Sequence, residues 1–375
     1  METLSLPKSQ ASENIQWKQL WSLAALYASI IIGWIAYSNY QPKLLVQFQF
    51  TDFAFLLTAA QAVILVITPP IAGKIGDRFR LEKGHRLPII SSGISFAAMV
   101  FMAVAFTLFS NPGEIFKWLL PVLIVLWLVS MSIFTSPALS TVELFTPVDK
   151  LPKAMAVLTI VANFIYAFEP VIVDIIDYIG APLTFVAGGL VTLLSGYAMQ
   201  KNSLGLFKQS GNREPSPDVQ AKAKRSDYGF IFLLGIILGI TTAVMFIYVP
   251  DLLSSKAPAL FSEGNGKLGL VVMLVGSALI SWPLSMFVNS QRMKQVFWSS
   301  ALLVLVCMTG MFLMDSAIVV LASAILYTVA FTSLSVSSLP LAIDRAGFYD
   351  KVLCVGIFFS GVALPEGLIE SLHAY

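Results

Sequence analysis

Residues 73–88 read GKIGDRFRLEKGHRLP and carry five cationic side chains and one histidine. The stretches on either side of this basic segment, residues 53–73 and 87–113, contain no Asp, Glu, Lys or Arg. Each is long enough to cross a hydrocarbon core, which needs about 20 helical residues. The segment is therefore a short, charged connection between two predicted membrane helices.

The rest of the chain repeats this alternation of long apolar stretches and short polar connections. Charged residues make up only 12% of the sequence, against about 25% in soluble domains, and the mean hydropathy is +0.82. Two further apolar stretches, 154–173 and 352–369, are interrupted only by Glu169 and Glu366. The remaining charge-free stretches are 19–42, 118–142, 178–200, 228–250, 268–291, 295–314 and 316–343. The sequence predicts an all-α polytopic membrane protein with eleven spans.

The basic residues are distributed unevenly between the two sides of the predicted membrane. With the N-terminus inside, 19 of the 23 Lys and Arg residues fall in cytoplasmic segments, and only Lys43, Lys117, Lys256 and Lys267 lie outside. Basic residues mark cytoplasmic loops because they resist translocation. We therefore expect a multi-pass protein of the plasma (inner) membrane with a cytoplasmic N-terminus.

A polar stretch from Lys201 to Asp227 divides the chain into two parts. It contains nine charges together with Gly, Ser and Pro, a composition typical of a flexible linker. The stretch Ser130–Phe145 can be laid over Ser333–Phe348, which suggests that the two parts are repeats. We predict a six-span half (1–200), a cytoplasmic linker (201–227) and a five-span half (228–375), in which a twelfth span is missing from the sequence.

The basic segment resembles a known signature. Gly73, Asp77 with Arg78, then Arg80, Gly84 and Arg86 resemble the signature loop of the major facilitator superfamily. Its variant DRFRLEKGHRLP is similar to the branch that contains the glycoside-pentoside-hexuronide symporters and the sucrose-type transporters. The resemblance implies a two-half helical bundle that transports a small solute by alternating access.

The same residues have a physical reading as a conformational latch. Gly73 allows two helices to approach closely, and Asp77 can pair with an arginine or with a helix N-terminus at the cytoplasmic face. Arg345 and the start of the eleventh span near Lys351 are the candidate partners. The alternative is that the loop is basic only to fix the topology, although topology requires neither the glycine nor the aspartate.

Glu169 and Glu366 are the only carboxylates well inside predicted spans. At about 1.5 Å per residue, each lies roughly 22 to 24 Å from the cytoplasmic end of its span. A carboxyl group in a low-dielectric surrounding can take up and release a proton near neutral pH. They are therefore candidates for proton coupling. The alternative is that both are vestibule residues exposed to water.

Polar and aromatic residues at mid-span are candidates for a substrate pocket. Hydroxyls and amides beside aromatic rings suit a sugar-like or other small organic solute, but they also serve to pack membrane helices. The candidates are Tyr37, Asn39, Gln61, Ser130, Asn163, Tyr166, Thr241 and Thr328.

Other function classes are less well supported. The second and fourth spans hold no interior aspartate, unlike the cation-coupled sugar symporters of the resembling branch, so sodium coupling is not indicated. Two histidines and two cysteines provide no metal cluster, and no nucleophile or phosphate-binding motif points to an enzyme. The competing interpretation is a transport-inactive receptor or scaffold. The expected partners are a small-molecule substrate and the lipid bilayer, with no nucleic acid, cofactor or metal, and the chain can work as a monomer.

Overall fold

The computed structural model describes residues 14–47, 54–110, 118–211, 225–261, 266–289 and 291–373. These residues form helices and no strand. Among these residues, ten helices are long and apolar enough to cross a membrane, and the number is eleven when one bent helix pair is counted as a span, which confirms the predicted all-α architecture. In chain order the spans are Trp17–Gln47, Ala54–Lys83, Leu87–Ser110, Leu119–Phe145, the pair Val148–Ala167 and Glu169–Ile179, Ala181–Gly211, Tyr228–Lys256, Gly266–Phe287, Met293–Leu313, Ala317–Arg345 and Lys351–His373.

The spans are apolar around most of their circumference. A membrane helix satisfies its own backbone hydrogen bonds, packs one face on its neighbours and presents the other to lipid. Leu194 and Leu302, for example, are more than 60% exposed although both lie within spans. Such side chains suit a hydrocarbon surrounding, so the chain is an integral, multi-pass membrane protein.

The fifth span is not the continuous helix that the sequence predicts over 154–173. It breaks at Phe168, and the two helices on either side are bent by 58°. Pro170 has no N–H to continue the helical ladder, while the N–H of Ile172 donates to the carbonyl of Phe168 to start the second helix. Gly180, with φ of 87°, then reverses the chain into the sixth span.

The sixth span also extends beyond its predicted end. Its helix continues to Gly211, so residues 201–211, predicted as the start of the linker, are helical. Helix formers such as Lys201 and Leu204 let the ladder continue past the apolar region. Residues 212–224 of the predicted linker lie outside the described residues, and its cytoplasmic location remains a prediction.

The helices form two halves that contact each other in a symmetrical way. Within the first half the second and third spans both pack on the fourth, and within the second half the eighth and ninth both pack on the tenth. Between the halves, the second span packs on the eleventh and the fifth on the eighth. A two-fold repeat relates the second span to the eighth and the fifth span to the eleventh. The same repeat turns the contact between the second and eleventh spans into the contact between the eighth and fifth, as expected for a two-half bundle.

Small residues bring the seventh and eleventh spans into backbone contact. A Cβ atom added to Gly361 would lie 3.0 Å from the Cα of Gly235 and 3.1 Å from the nitrogen of Ile236. Close approach of this kind replaces hydrophobic burial as the source of helix association in lipid. The eleventh span is thus held between the seventh span of its own half and the second span of the other half.

The sixth span packs on the first and third spans. Side chains on the ninth span are exposed, among them Leu305 and Val306.

Candidate functional site

A cavity of about 580 Å³ lies between the two halves. Its walls come from the first, second, fourth and fifth spans of the first half and from the seventh, tenth and eleventh spans of the second. The lining side chains that carry hydroxyl, amide or carboxyl groups are Tyr27, Ser38, Thr58, Gln61, Ser132, Thr135, Ser136, Thr159, Asn163, Tyr166, Glu169, Thr242, Ser335, Ser338 and Glu366. Seven aromatic residues, which include the two tyrosines, complete the chemistry: Tyr27, Trp34, Tyr166, Phe246, Phe331, Phe358 and Phe359.

Both predicted coupling carboxyls line this cavity, one from each half. Glu169 is the first residue after the break in the fifth span, so the bend directs the start of the second helix toward the cavity wall. Glu366 lies next to Pro365 in the eleventh span. Tyr166 interacts electrostatically with both carboxyls, and these three cavity-lining groups are called here the carboxyl cluster.

Two residues near this cluster complete its electrostatic surroundings. Tyr27 of the first span interacts with Glu366. Lys267, in the first turn of the eighth span, interacts with Glu169 from the opposite half. Acidic, phenolic and cationic groups from both halves therefore contribute to the electrostatic surroundings of the carboxyl cluster.

Among the predicted pocket residues, three line the cavity: Gln61, Asn163 and Tyr166. Tyr37 is not part of the lining, but its hydroxyl donates a hydrogen bond of 3.0 Å to the side-chain oxygen of Gln61. The ring of Tyr37 in turn stacks on Trp127 at a centroid distance of 4.6 Å and an interplanar angle of 9°. The side chain of Gln61 is therefore oriented by Tyr37, whose ring is in turn packed on Trp127.

Asn163 connects the halves across the contact between the fifth and eighth spans. Its side-chain nitrogen donates to the hydroxyl of Ser277 over 2.7 Å, and Ser277 shares a 2.7 Å hydrogen bond with Thr332 of the tenth span. Thr332 donates to the carbonyl of Thr328 in its own helix. A polar chain thus runs from the cavity wall into the second half.

The other predicted pocket residues lie elsewhere in the bundle. Asn39 donates to Asp177, which also forms a 2.7 Å ion pair with Lys43 on the exterior. Three hydroxyls are used within their own helices and donate to carbonyls four or three positions earlier; they belong to Ser130, Thr241 and Thr328. Sequence alone could not separate these from cavity residues, because a hydroxyl bonded to its own helix looks the same in the sequence.

Phe246 of the seventh span lines the cavity and was not among the predicted pocket residues. A wide helical turn at Val244–Tyr248 places Phe246 in the cavity wall, beside the ring of Tyr166 at a centroid distance of 5.1 Å. Wide turns of this type are concentrated at functional sites. The available signal was Pro250, because a proline inside an apolar stretch disturbs the ladder of the preceding turn.

The predicted latch lies at one end of the bundle, called here the Asp77 end. The carboxylate of Asp77 accepts the backbone N–H groups of Val352, over 3.2 Å, and of Leu353, over 2.8 Å. These are orphan donors in the first turn of the eleventh span, where a negative charge also interacts favourably with the helix dipole. Of the two candidate partners, the helix start is the one that Asp77 contacts.

Gly73 allows this contact to form. A Cβ atom at this position would lie 2.6 Å from the carbonyl oxygen of Val352 and 2.7 Å from the Cα of Leu353. Neither backbone atom can move away without shifting the eleventh span. The second and eleventh spans therefore touch backbone to backbone directly beside Asp77.

Arg345 does not pair with Asp77. Its guanidinium lies over the ring of Phe230 in the seventh span, 5.5 Å from the centroid. The arginine beside Asp77 is Arg80, at 3.3 Å in the same helix; it also donates to the carbonyl of Phe348 in the other half. A neighbour one turn away on the same helix reaches the carboxylate more readily than a residue from another loop.

A second ionic contact between the halves centres on Glu143, at the end of the fourth span. Its carboxylate pairs with Arg86 at 2.7 Å through one oxygen and with Lys351 at 2.7 Å through the other. Arg86 is buried and also donates to the hydroxyl of Ser140. Glu143 was not among the predicted latch residues, although a carboxylate that follows the fourth span and faces a basic loop was the available signal.

The two remaining latch candidates have local roles. Arg78 is exposed and pairs with Glu82 one turn later in its own helix, so it does not join the halves. Gly84, with φ of 75°, ends the second span in a conformation that favours glycine. The contacts at the Asp77 end thus involve Gly73, Asp77, Arg80 and Arg86, together with Glu143 and Lys351, and their action as a latch stays a prediction.

The contacts around Asp77 and Glu143 join the two halves at the Asp77 end of the bundle. Further along the bundle, the cavity lies between the halves. At the Asp77 end the cavity wall reaches Pro69, Leu139 and Leu339. Gly73 follows Pro69 by about one helical turn, or roughly 6 Å along the axis. The latch residues therefore lie just beyond the cavity, at the Asp77 end of the bundle. The carboxyl cluster lies toward the opposite end.

Comparison with known proteins supports a membrane transporter. The family model described as Major Facilitator Superfamily matches residues 15–366. No curated protein sequence matches significantly. Among solved structures, a bacterial homologue of the iron transporter ferroportin in the outward-facing state is similar with a TM-score of 0.68 and 16% identity, covering 96% of this chain and 91% of that one.

Two further structures show the same fold. The human organic anion transporter MFSD10 (TETRAN) has a TM-score of 0.65 and 12% identity, over 96% of this chain and 94% of that one. The proton:xylose symporter XylE, bound to a bromodeoxyglucose, has a TM-score of 0.59 and 12% identity, over 94% and 88%. With a family model that matches nearly its whole length and a two-half bundle around a central cavity, the chain belongs to the major facilitator superfamily of membrane transporters.

Proposed function

We propose that this protein is a secondary active transporter that moves a small organic solute by alternating access and couples this movement to protons. The observation that carries the proposal is a cavity between the halves, with a carboxyl from each half and with contacts that join the halves at the Asp77 end. If the Asp77 end is cytoplasmic, as the basic residues predict, this arrangement is an outward-facing one in a plasma membrane with the N-terminus inside.

Glu169 is the first candidate for proton coupling and Glu366 the second. Glu169 faces Lys267 of the eighth span, as well as Tyr166, and belongs to the cluster that includes Glu366. A change in its charge alters the attraction between Glu169 of the first half and Lys267 of the second. Protonation of one residue can thereby bias the distance between the halves at that end.

Hydroxyl, amide and aromatic side chains, which suit a sugar-like solute, line this cavity, and Gln61, Asn163 and Tyr166 are the predicted pocket residues among them. Alternating access lets both sides of the membrane reach it in turn, once the latch opens. A transport-inactive receptor or scaffold is the competing candidate, and it predicts no solute movement.

The test is uptake into proteoliposomes. A panel of radiolabelled sugars, organic acids, amino acids and amines is screened by counterflow, and accumulation is then measured under an imposed pH gradient. Glu169→Gln imitates the protonated form, so accumulation should be lost while equilibrium exchange persists. Glu82→Gln, on the exposed surface of the second span, is the matched control and should behave as the wild type.

The outcomes separate the alternatives. Accumulation that ignores the pH gradient in the wild type, or that persists in Glu169→Gln, would contradict proton coupling through this residue and would favour a uniporter. A protein that exchanges no solute of the panel would support the receptor or scaffold.

A further inference from the structure

The ionisable groups with ordinary pKa values below about 7 that line the cavity are carboxyls, and no described lining residue is basic. The carboxyl groups are Glu169 and Glu366, and none of the described lining residues is Lys, Arg or His. Lys267 interacts with Glu169 but is not part of the lining. An ionised solute of negative sign would meet repulsion from two carboxylates in a weakly screened site, whereas a cation would be attracted.

The aromatic residues of the cavity add a second, independent preference. Tyr27 and Tyr166 interact with the carboxyl cluster, and Phe246 packs edge-on against Tyr166. Aromatic faces attract ammonium groups, most strongly where water is excluded. The remaining wall is largely aliphatic, with Ile30, Ile31 and Leu65 among its members. A cationic head group and an apolar body would each find a matching surface.

A bare metal ion fits the cavity less well than an organic cation. Hard cations take several oxygen ligands at once. The described residues contain no group of three or more His, Cys, Asp or Glu side chains that could hold one. The aromatic walls would also have no function toward a bare ion.

We propose that the cavity binds a monovalent organic cation, a protonated amine with an apolar body, held by Glu169 and Glu366 beside the rings of Tyr27 and Tyr166. This inference rests on the proposed transport function, because it names the substrate class of the same cavity.

Binding of three probes with one skeleton and different charge tests the proposal. The probes are 4-phenylbutylamine, 4-phenylbutanol and 4-phenylbutanoate, added at pH 7 to the purified full chain in lipid nanodiscs, with empty nanodiscs as the blank. Isothermal titration calorimetry gives the affinities. We expect the amine to bind at least tenfold more tightly than the alcohol, and the carboxylate to bind most weakly.

Substitutions locate the preference. Glu169→Gln and Glu366→Gln should each weaken binding of the amine about tenfold or more and leave binding of the alcohol unchanged, because they remove a charge and keep the shape. Glu82→Gln should change neither. Equal affinity for the three probes, a preference for the alcohol or the carboxylate, or no measurable binding of the amine would overturn the proposal.

Failure of this inference can be told apart from failure of the proposed function. Binding is measured without a gradient, so a selective amine site without pH-driven uptake would refute only the coupled transport. Proton-driven uptake of a neutral or anionic solute, together with no amine binding, would refute only the substrate class.

Discussion

At the scale of single residues, Asp77 shows how one carboxylate can hold two halves of a transporter together. It accepts two N–H groups from the start of the eleventh span and lies beside Arg80. Charged acceptors on orphan helix donors form stronger hydrogen bonds than neutral ones. Because the donors belong to the opposite half, this stabilisation is lost whenever the Asp77 end opens.

Replacement of Asp77 by asparagine should shift the population toward the state that is open at the Asp77 end. The amide keeps one acceptor oxygen but loses the charge, and we expect a change of about 1 to 3 kcal/mol in the equilibrium between the two states. Spin labels at Glu82→Cys and Tyr349→Cys, one in each half, would report the distance. Asp174→Asn, exposed and remote from the latch, is the control; an unchanged distance distribution in Asp77→Asn would contradict the latch.

Gly73→Leu should open the same end by steric exclusion. The added side chain would collide with the backbone of Val352 and Leu353, so the closed arrangement cannot form. The same spin labels should show a longer distance than in the wild type. Gly205→Leu is a matched control in the sixth span, because a Cβ atom there meets nothing within 4 Å. Equal distances in both variants would show that close helix contact at Gly73 does not matter.

At the scale of elements, the eleventh span contacts both halves of the molecule. Its first turn forms the latch, its middle packs on the second and seventh spans, and Glu366 near its far end lines the cavity. The fifth span has a related role in the first half, since its break places Glu169 at the same cavity. Glu169 and Glu366 thus each lie on a span that both contacts the other half and lines the cavity.

Gly361→Leu should lower the thermal stability of the protein. Its side chain would collide with Gly235 and Ile236 in the seventh span, and overpacking of this kind typically costs about 1 to 3 kcal/mol. A thermal unfolding curve in detergent measures the change. Gly276→Leu, where a Cβ atom would come no closer than 3.9 Å to Thr328, should be milder. Equal melting temperatures in the two variants would contradict a backbone contact between the seventh and eleventh spans.

At the scale of the whole molecule, two equivalent contacts between the halves can act as the axis of a rocking motion. The second span packs on the eleventh and the fifth on the eighth, on the two sides of the cavity. Small shifts at these contacts can open one end as the other closes, because both halves are rigid packed bundles. The single cavity would then face each side of the membrane in turn.

The sidedness predicted from the basic residues can be tested with impermeant thiol reagents on intact cells. Lys43→Cys should react from outside, and Lys208→Cys should react only after lysis; both positions are exposed. The native cysteines, Cys307 and Cys354, are buried and should contribute little background. Labelling of Lys208→Cys in intact cells would reverse the assigned orientation.

The sequence by itself determined the all-α, multi-span architecture, the two acids inside the spans and the segment that carries the contacts at the Asp77 end. These features depend on local properties: the length of apolar runs, the cost of a charge in lipid, and a glycine and aspartate in a basic loop. The only signal in the sequence for the helix break at Phe168 was Pro170. The angle between the two helices on either side of the break depends on how they pack.

Only the tertiary structure decided which polar residues meet at the cavity and what Asp77 contacts. Gln61 and Tyr37 looked equivalent in the sequence, yet Gln61 lines the cavity and Tyr37 lies behind it. Membrane helices that are apolar all round carry no periodic signal to show which face is buried. Their rotation is set by close packing of small residues such as Gly73 and Gly361 on distant helices, and no local pattern encodes those partners.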